Sequence, residues 1–261
     1  MSLSLEGRVL VVTGASAGIG AALVPVLAAR GARVVMVART QSALEAVQSA
    51  LPDPKQTLVV VADVTRREDH ARIVESALAH FGHVDAWVNN AGRGISRLPS
   101  ELTDADLDEM MLVNVKSALY GVQAILPHFR ARKIGHVVNV SSLLGRVPIA
   151  TIRSAYSASK HALNALSANL RMELAPENIV VSVVHPGVVA TEFGLRALHG
   201  GMDSRRMPGA QSAEEVATVI ADVLESRRAD VYTRDGARAM IAAYYAAEDM
   251  GEAEKKPPFS R

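Results

Sequence analysis

Near-continuous apolar runs of four to six residues recur along the chain at Val9–Val12, Val34–Val37, Leu58–Val61, Val84–Val88, Val137–Val140 and Ile179–Val184. They do not alternate with polar positions, which is the pattern of strands covered on both faces. Between them apolar residues fall at helical spacing over about residues 18–30, 41–50, 67–80, 103–129 and 154–174. Strand alternating with helix predicts an α/β fold, a doubly wound parallel sheet with right-handed crossovers. A helix at about 213–226 and a weak strand near Asp230–Thr233 bring the expected sheet to about seven strands. Pro25, inside the first helix, predicts one lost hydrogen bond and a bend. No internal repeat, Ser/Gly linker or shift of composition marks a boundary, so residues 1–250 read as a single domain. Gly251–Arg261, with Lys255, Lys256, Pro257 and Pro258, reads as a mobile tail.

Composition narrows the class. With 261 residues, 49% of them hydrophobic, the chain can bury a substantial core, and at 4% aromatics that core must be built from Val, Ala, Leu and Ile. The net charge is +1 and the Lys and Arg residues are scattered, so neither a nucleic-acid stripe nor a polybasic membrane segment is expected. Glu6 and Arg8 interrupt the N-terminus, and Val9–Val12 is too short for the apolar part of a signal peptide. No stretch approaches the length of a bilayer-spanning helix. The absence of cysteine removes disulfides and thiolate chemistry and suits a reducing cytoplasm. A cytoplasmic protein without a metal site is the expectation.

Three groups of residues carry candidate chemistry. Thr13-Gly14-Ala15-Ser16-Ala17-Gly18-Ile19-Gly20 follows the first strand and opens the first helix, where free N–H groups and the helix dipole attract an anion. Its glycines permit a tight turn and the close approach of a pyrophosphate; a plain strand-to-helix connection is the other reading. At the end of the second strand, where a nucleotide's ribose 2′ position is sensed, stands Arg39 rather than an acid. A guanidinium there suits a 2′-phosphate and favours NADP over NAD, the alternative being an Arg that caps the strand end in solvent. Tyr156 and Lys160, four residues apart in a helical stretch, project from one face. A neighbouring ammonium favours a phenolate and lowers the tyrosine's pKa from about 10, so the pair is a candidate proton-transfer device. Packing of the ring over the lysine stem is the bland alternative.

Taken with Asp63, Asn89-Asn90-Ala91-Gly92, Asn114, Ser141-Ser142 and Pro186-Gly187-Val188-Val189-Ala190-Thr191, these motifs resemble the short-chain dehydrogenase/reductase family in its compact, Rossmann-like form, over about Gly7 to Asp230. The resemblance implies that Gly14, Ser16, Ala17, Gly18, Ile19 and Gly20 hold the pyrophosphate. Asp63 with Val64 would meet the adenine, although Asp63 could instead cap a helix before Thr65. Asn90, Ala91 and Gly92 would touch the ribose by backbone, leaving the Asn side chains to support the sheet. Pro186, Gly187, Val189 and Thr191 would hold the nicotinamide carboxamide, where an ordinary Pro-Gly turn is the alternative. Ser142 would orient the substrate oxygen beside Tyr156. Its separation from Tyr156, fourteen positions, is one more than is usual in the family, which leaves Ser141 open as the partner. Asn114, poorly placed in the long fourth helix, would hold a water linking Lys160 to solvent, or else mark a helix distortion.

The implied activity is hydride transfer between NADP(H) and a carbonyl or secondary-alcohol substrate, with Tyr156 as general acid/base, Lys160 lowering its pKa and binding the nicotinamide ribose, and Ser142 and Asn114 completing the set. Two other classes share the motifs: a non-catalytic NADP-binding regulator or scaffold, and an NAD-dependent epimerase or dehydratase. The latter relatives carry a larger C-terminal substrate region and a different glycine spacing. Residues 192–209, including Glu192 to Arg196 and Gly200-Gly201, read as a mobile cover over the pocket. Arg93, Arg196, Arg205 and Arg206 could recognise an anionic substrate or simply form a solvated face. The resemblance implies a homodimer or homotetramer packed through the fourth and fifth helices, with Ala162, Ala165 and Ala168 permitting close approach.

Overall fold

The computed structural model describes residues 3–256. Seven strands, β1 (Val9–Thr13), β2 (Arg33–Ala38), β3 (Thr57–Val61), β4 (Ala86–Asn89), β5 (Gly135–Val140), β6 (Ile179–His185) and β7 (Asp230–Tyr232), form one sheet in the order β3-β2-β1-β4-β5-β6-β7. Every pairing is parallel, with Val11 beside Val35 on one side and Trp87 on the other. The apolar runs divide residue by residue between two cores. Leu10, Val12, Val34 and Met36 face α1 (Gly18–Ala29) and α7 (Ala213–Ser226), whereas Val9, Val11, Val35 and Val37 face α3 (Arg67–Phe81) and α5 (Ser117–Arg132). Burial on both faces is why the strands read as unbroken hydrophobic stretches.

Strand order reverses between β1 and β4, and the crevice outside their carboxyl ends is where such sheets bind ligands. A buried polar chain fixes this edge. Trp87 Nε1 donates to Asn89 Oδ1 (2.8 Å), Asn89 Nδ2 to Asn139 Oδ1 (2.8 Å), and Asn139 Nδ2 to Ser167 Oγ (2.8 Å), linking β4 and β5 to α6 (Ser154–Leu174). Each buried amide thereby avoids the cost of an unmade hydrogen bond.

The structure departs from the sequence reading in two places. The expected helix over 103–129 is α4 (Asp104–Met111), a π-helical segment Leu112–Lys116, and then α5; Asn114 lies in the π segment. Pro25 sits on an exposed face inside α1, which continues through it to Ala29. The C-terminal region is more structured than a tail. Helix α8 (Ala237–Tyr245), which begins at Gly236 with no side-chain cap to announce it, packs Ile241 and Tyr244 onto Leu143 and Val147. Helix α9 (Met250–Glu254) is tied back by Tyr244 Oη donating to Glu254 Oε1 (2.7 Å). The remainder of the expected tail, residues 257–261, lies outside the described residues.

Candidate active site

The turn after β1 is shaped for an anion. Helix α1 follows Ala17, whose methyl cannot cap it, and its first turn carries no acid, so its leading N–H groups point outward uncommitted to a side chain. Gly14 adopts φ +68°, and a Cβ on Gly20 would overlap the Gly14 carbonyl oxygen and stand 2.6 Å from Asn90 Nδ2. The Asn90 side chain is the staple of this turn, donating to Thr13 O (2.9 Å) and Gly14 O (3.3 Å). Thr13 Oγ1 in turn accepts from the backbone N–H groups of Asn90 (3.0 Å) and Ala91 (3.1 Å), which joins the β1 and β4 exits. Ser16, Ala17, Gly18 and Ile19 are all partly exposed along the cradle. A Cβ on Gly18 would lie 3.3 Å from Thr191 Cγ2, so the turn reaches the segment leaving β6.

Arg39 lies just past β2, exposed and in no ion pair among the described residues. Asp63 Oδ1 accepts from Thr65 N (2.9 Å) and Thr65 Oγ1 (2.7 Å), closing a turn two residues ahead of α3; the cap position of that helix belongs to Arg66. Val64 is held by His70 Nε2, which donates to its carbonyl at 2.8 Å. Beyond β6, Pro186 O accepts from Leu143 N (2.8 Å), Gly187 packs near Leu143 and Arg234, and Val189 O accepts from Thr191 N (2.8 Å).

Tyr156, Lys160, Ser142 and Asn114 come together at the ends of β4 and β5, all at most 8% exposed. Burial pushes the Tyr156 phenol up to about 12, partly offset by a hydrogen bond from Ser142 and by the charge of Arg153. Ser142 rather than Ser141 therefore stands beside the phenol. Burial also brings Lys160 down to about 8. Its Nζ donates to Val140 O (2.8 Å) and lies 5.7 Å from the Tyr156 ring centre. The expected lowering of Tyr156 by Lys160 is thus corrected: the ammonium turns to a carbonyl, and loss of hydration outweighs the neighbouring charges. Asn114 clamps the backbone of Arg93 from both sides, Oδ1 accepting from Arg93 N (2.9 Å) and Nδ2 donating to Arg93 O (2.9 Å). The same Nδ2 reaches Ser159 Oγ (3.1 Å), next to Lys160. The π turn is what rotates this side chain toward the site. Gly92 keeps the space between the two clear, since its Cβ would meet Asn114 Oδ1 at 3.0 Å and Lys160 Nζ at 3.7 Å.

Two residues not singled out from the sequence complete the pocket. Phe193 lies edge-on to Tyr156, ring centres 5.6 Å apart. Arg153, at the start of α6 and three residues before Tyr156, reaches Ile95 O with Nη1 (3.0 Å). The offset of three from Tyr156 along a helix was the available signal for Arg153. Residues 192–209 lie across this end of the sheet, with Leu198 N donating to Gly94 O (2.8 Å) and Ser96 N to Leu198 O (3.0 Å).

Comparison with known proteins shows the family. The short chain dehydrogenase family model matches residues 8–198. An uncharacterized oxidoreductase of Staphylococcus saprophyticus is 37% identical over 194 residues, covering 72% of this chain and 81% of the relative. The oxidoreductase YxnA of Bacillus subtilis is 34% identical over 245 residues, 90% of this chain and 68% of that protein. Among solved structures, a short-chain dehydrogenase from Streptomyces avermitilis superposes with a TM-score of 0.80 at 31% identity, over 95% of each chain. A 3-ketoacyl-(acyl-carrier-protein) reductase from Brucella melitensis, complexed with NADH, gives 0.78 at 28% identity over 88% of this chain and 97% of its own. The chain belongs to the short-chain dehydrogenase family and is an oxidoreductase of that class. Among the described residues no helix is long and apolar enough to cross a membrane.

Proposed function

We propose that the protein reduces a small carbonyl compound to a secondary alcohol with NADPH, residues 1–250 acting as one catalytic unit. The reading is carried by one observation: a buried phenol and a buried ammonium share a pocket with Ser142 at the edge of the sheet. The glycine turn, Asn90 to Gly92 and Pro186 to Thr191 would hold the nucleotide, and the uncapped helix and the Gly20 cradle suit its pyrophosphate. When bound, it supplies a hydride, and with it two electrons, to the carbonyl carbon.

Tyr156 gives its proton to the oxygen as the C=O π pair becomes the new O–H bond. A phenol held at about 12 stays protonated at neutral pH yet is far more acidic than an alcohol, which favours the reductive direction. Ser142 aims the oxygen at it. Lys160, at about 8, exchanges protons near neutrality and, with Nζ 5.7 Å from the Tyr156 ring centre, is placed to restore the phenol, while Gly92 keeps clear the side of Lys160 that faces Asn114 and its clamp on the Arg93 backbone. Arg39, exposed and in no ion pair among the described residues, favours a 2′-phosphate and hence NADP over NAD. A homodimer or homotetramer packed through α5 and α6 remains our reading of the assembly.

Tyr156→Phe keeps the ring and removes the proton. Turnover of NADPH with a ketone panel should fall by ~10²–10⁴-fold while nucleotide affinity holds. Near-native turnover in that variant removes Tyr156 from the reaction.

A further inference from the structure

The arginines around the pocket divide sharply. Arg93 pairs with Glu109 (3.0 Å), Arg97 with Asp106 (3.0 Å), Arg196 with Glu192 (2.5 Å), and Arg205 with Asp203 (2.9 Å). Arg206 also leans toward Asp203, at 3.9 Å. Those side chains already have their anions. Arg153 is half-buried, and among the described residues no carboxylate lies within ion-pair distance of it; its one hydrogen bond goes to Ile95 O. A guanidinium carries five donors, so most of its capacity is unspent.

Its position relative to the phenol can be read from the glycines it touches. A Cβ on Gly94 would meet Arg153 Nη1 and Phe193 Cε1, each at 3.0 Å, and Phe193 is the ring that lies edge-on to Tyr156. The guanidinium, the Phe193 edge and the phenol therefore form one continuous wall. On its other side, a Cβ on Gly201 would lie 3.1 Å from Arg153 Nη2 and 3.0 Å from Ser96 Oγ. That Ser96 hydroxyl is buried and has no hydrogen-bond partner among the described residues. Two unspent polar groups thus converge beneath the Gly200-Gly201 stretch of the covering segment. Burial lowers the Arg153 pKa, and its charge is felt at Tyr156, as expected for a cation without a counterion beside the reacting oxygen. A half-buried, uncompensated charge is costly to the fold, and a ligand carboxylate would relieve that cost.

We propose that Arg153 is the specificity-determining residue of this site, holding the carboxylate of a keto acid, or of the matching hydroxy acid, while the carbonyl oxygen lies against Tyr156. The inference rests on the reductase reading above and adds the substrate class. Ser96 is placed to supply a second hydrogen bond to the same carboxylate once residues 200–201 shift aside.

The test is a set of matched pairs, pyruvate, acetoacetate and levulinate, each against its primary amide, with NADPH oxidation followed for the wild type, Arg153→Leu and Arg153→Lys. Loss of one charge-assisted hydrogen-bonding group corresponds to roughly 10–100-fold in kcat/KM. The wild type should prefer at least one acid over its amide by that factor, expressed mainly in KM. In Arg153→Leu the acid-to-amide ratio should collapse toward one, and Arg153→Lys should recover part of it. A purely structural role, or one confined to tuning Tyr156, would lower acid and amide alike and leave the ratio intact. Equal use of acids and amides by the wild type overturns the assignment without any variant, so a poorly folding Arg153→Leu cannot shelter it. If neutral ketones are reduced and the acids are not preferred, the Arg153 role falls and the reductase reading stands. If no carbonyl compound is reduced although NADPH binds, both fall.

Discussion

Gly20→Ala is the sharpest probe of the glycine turn, because the structure fixes where the added methyl must go. It would overlap the Gly14 carbonyl oxygen, stand 2.8 Å from the Gly14 carbonyl carbon and 2.6 Å from Asn90 Nδ2. Two of these atoms are backbone, so relief requires moving either the turn or α1. Overpacking of this kind costs ~1–3 kcal/mol. Displacing Asn90 also strains its bonds to Thr13 O (2.9 Å) and Gly14 O (3.3 Å), adding about 1 kcal/mol. The total, roughly 2–4 kcal/mol, corresponds to a fall in Tm of about 5–15 °C for a chain of this size. The same displacement misaligns the N–H groups that open α1, so affinity for NADPH should weaken by roughly 10–100-fold, the scale of one or two charge-assisted hydrogen bonds. Gly82→Ala is the control: Gly82 has φ +80° but a Cβ there meets nothing within 4 Å, so it should cost ~1–2 kcal/mol of stability and leave affinity alone. Thermal unfolding by circular dichroism and titration of NADPH fluorescence read both quantities. A Gly20→Ala variant that binds NADPH as the wild type does would reduce the turn to a strand-to-helix connection.

Arg39→Asp should replace a guanidinium with a ribose-hydroxyl acceptor and shift the NADPH-to-NADH ratio of kcat/KM toward NADH by roughly 10–100-fold; an unchanged ratio would mean that Arg39 only caps the strand end. Burial holds His136 neutral, down to about 3, with Nε2 bonded to Ser182 Oγ at 2.8 Å. Because this folded pKa lies below the unfolded value of about 6.5, the unfolded chain takes up the proton first as pH falls. Its share of stability is therefore complete above about pH 6.5 and declines toward pH 3, by about 2 kcal/mol at pH 5. Urea unfolding at pH 7 and pH 5 should show that loss in the wild type and a smaller one in His136→Asn; equal losses would remove His136 as the source.

How much of this was legible in the sequence follows from which forces are local. The sheet could be read because each of its central strands is buried on both faces, and Val11 between Val35 and Trp87 leaves no polar alternative at that position. The π segment could not be read, since one residue inserted into a helix barely alters apolar spacing, although Asn114 was recognisably out of place there. Ion pairing was equally hidden: Arg93 finds Glu109 on another element, and only the fold reveals that Arg153 finds no acid among the described residues.

The least legible quantity was the direction of the Tyr156 shift. Spacing in a helix puts Tyr156 and Lys160 on one face and invites a coulombic argument in which each ion stabilises the other. Depth decides otherwise, because both groups lose their water and the neutral form of each is favoured. The phenol moves up to about 12 and the ammonium down to about 8, so Lys160 becomes the stronger acid of the two. That ordering suits proton delivery better than a phenolate would. In the proposed reduction, a tyrosinate left after donation would be a far stronger base than the Lys160 amine, and the proton would run downhill from lysine to tyrosine. A site built to deprotonate an alcohol would need the opposite arrangement, a phenol already lowered toward neutrality, whereas here the Lys160 ammonium is turned to Val140 O and burial holds the phenol up.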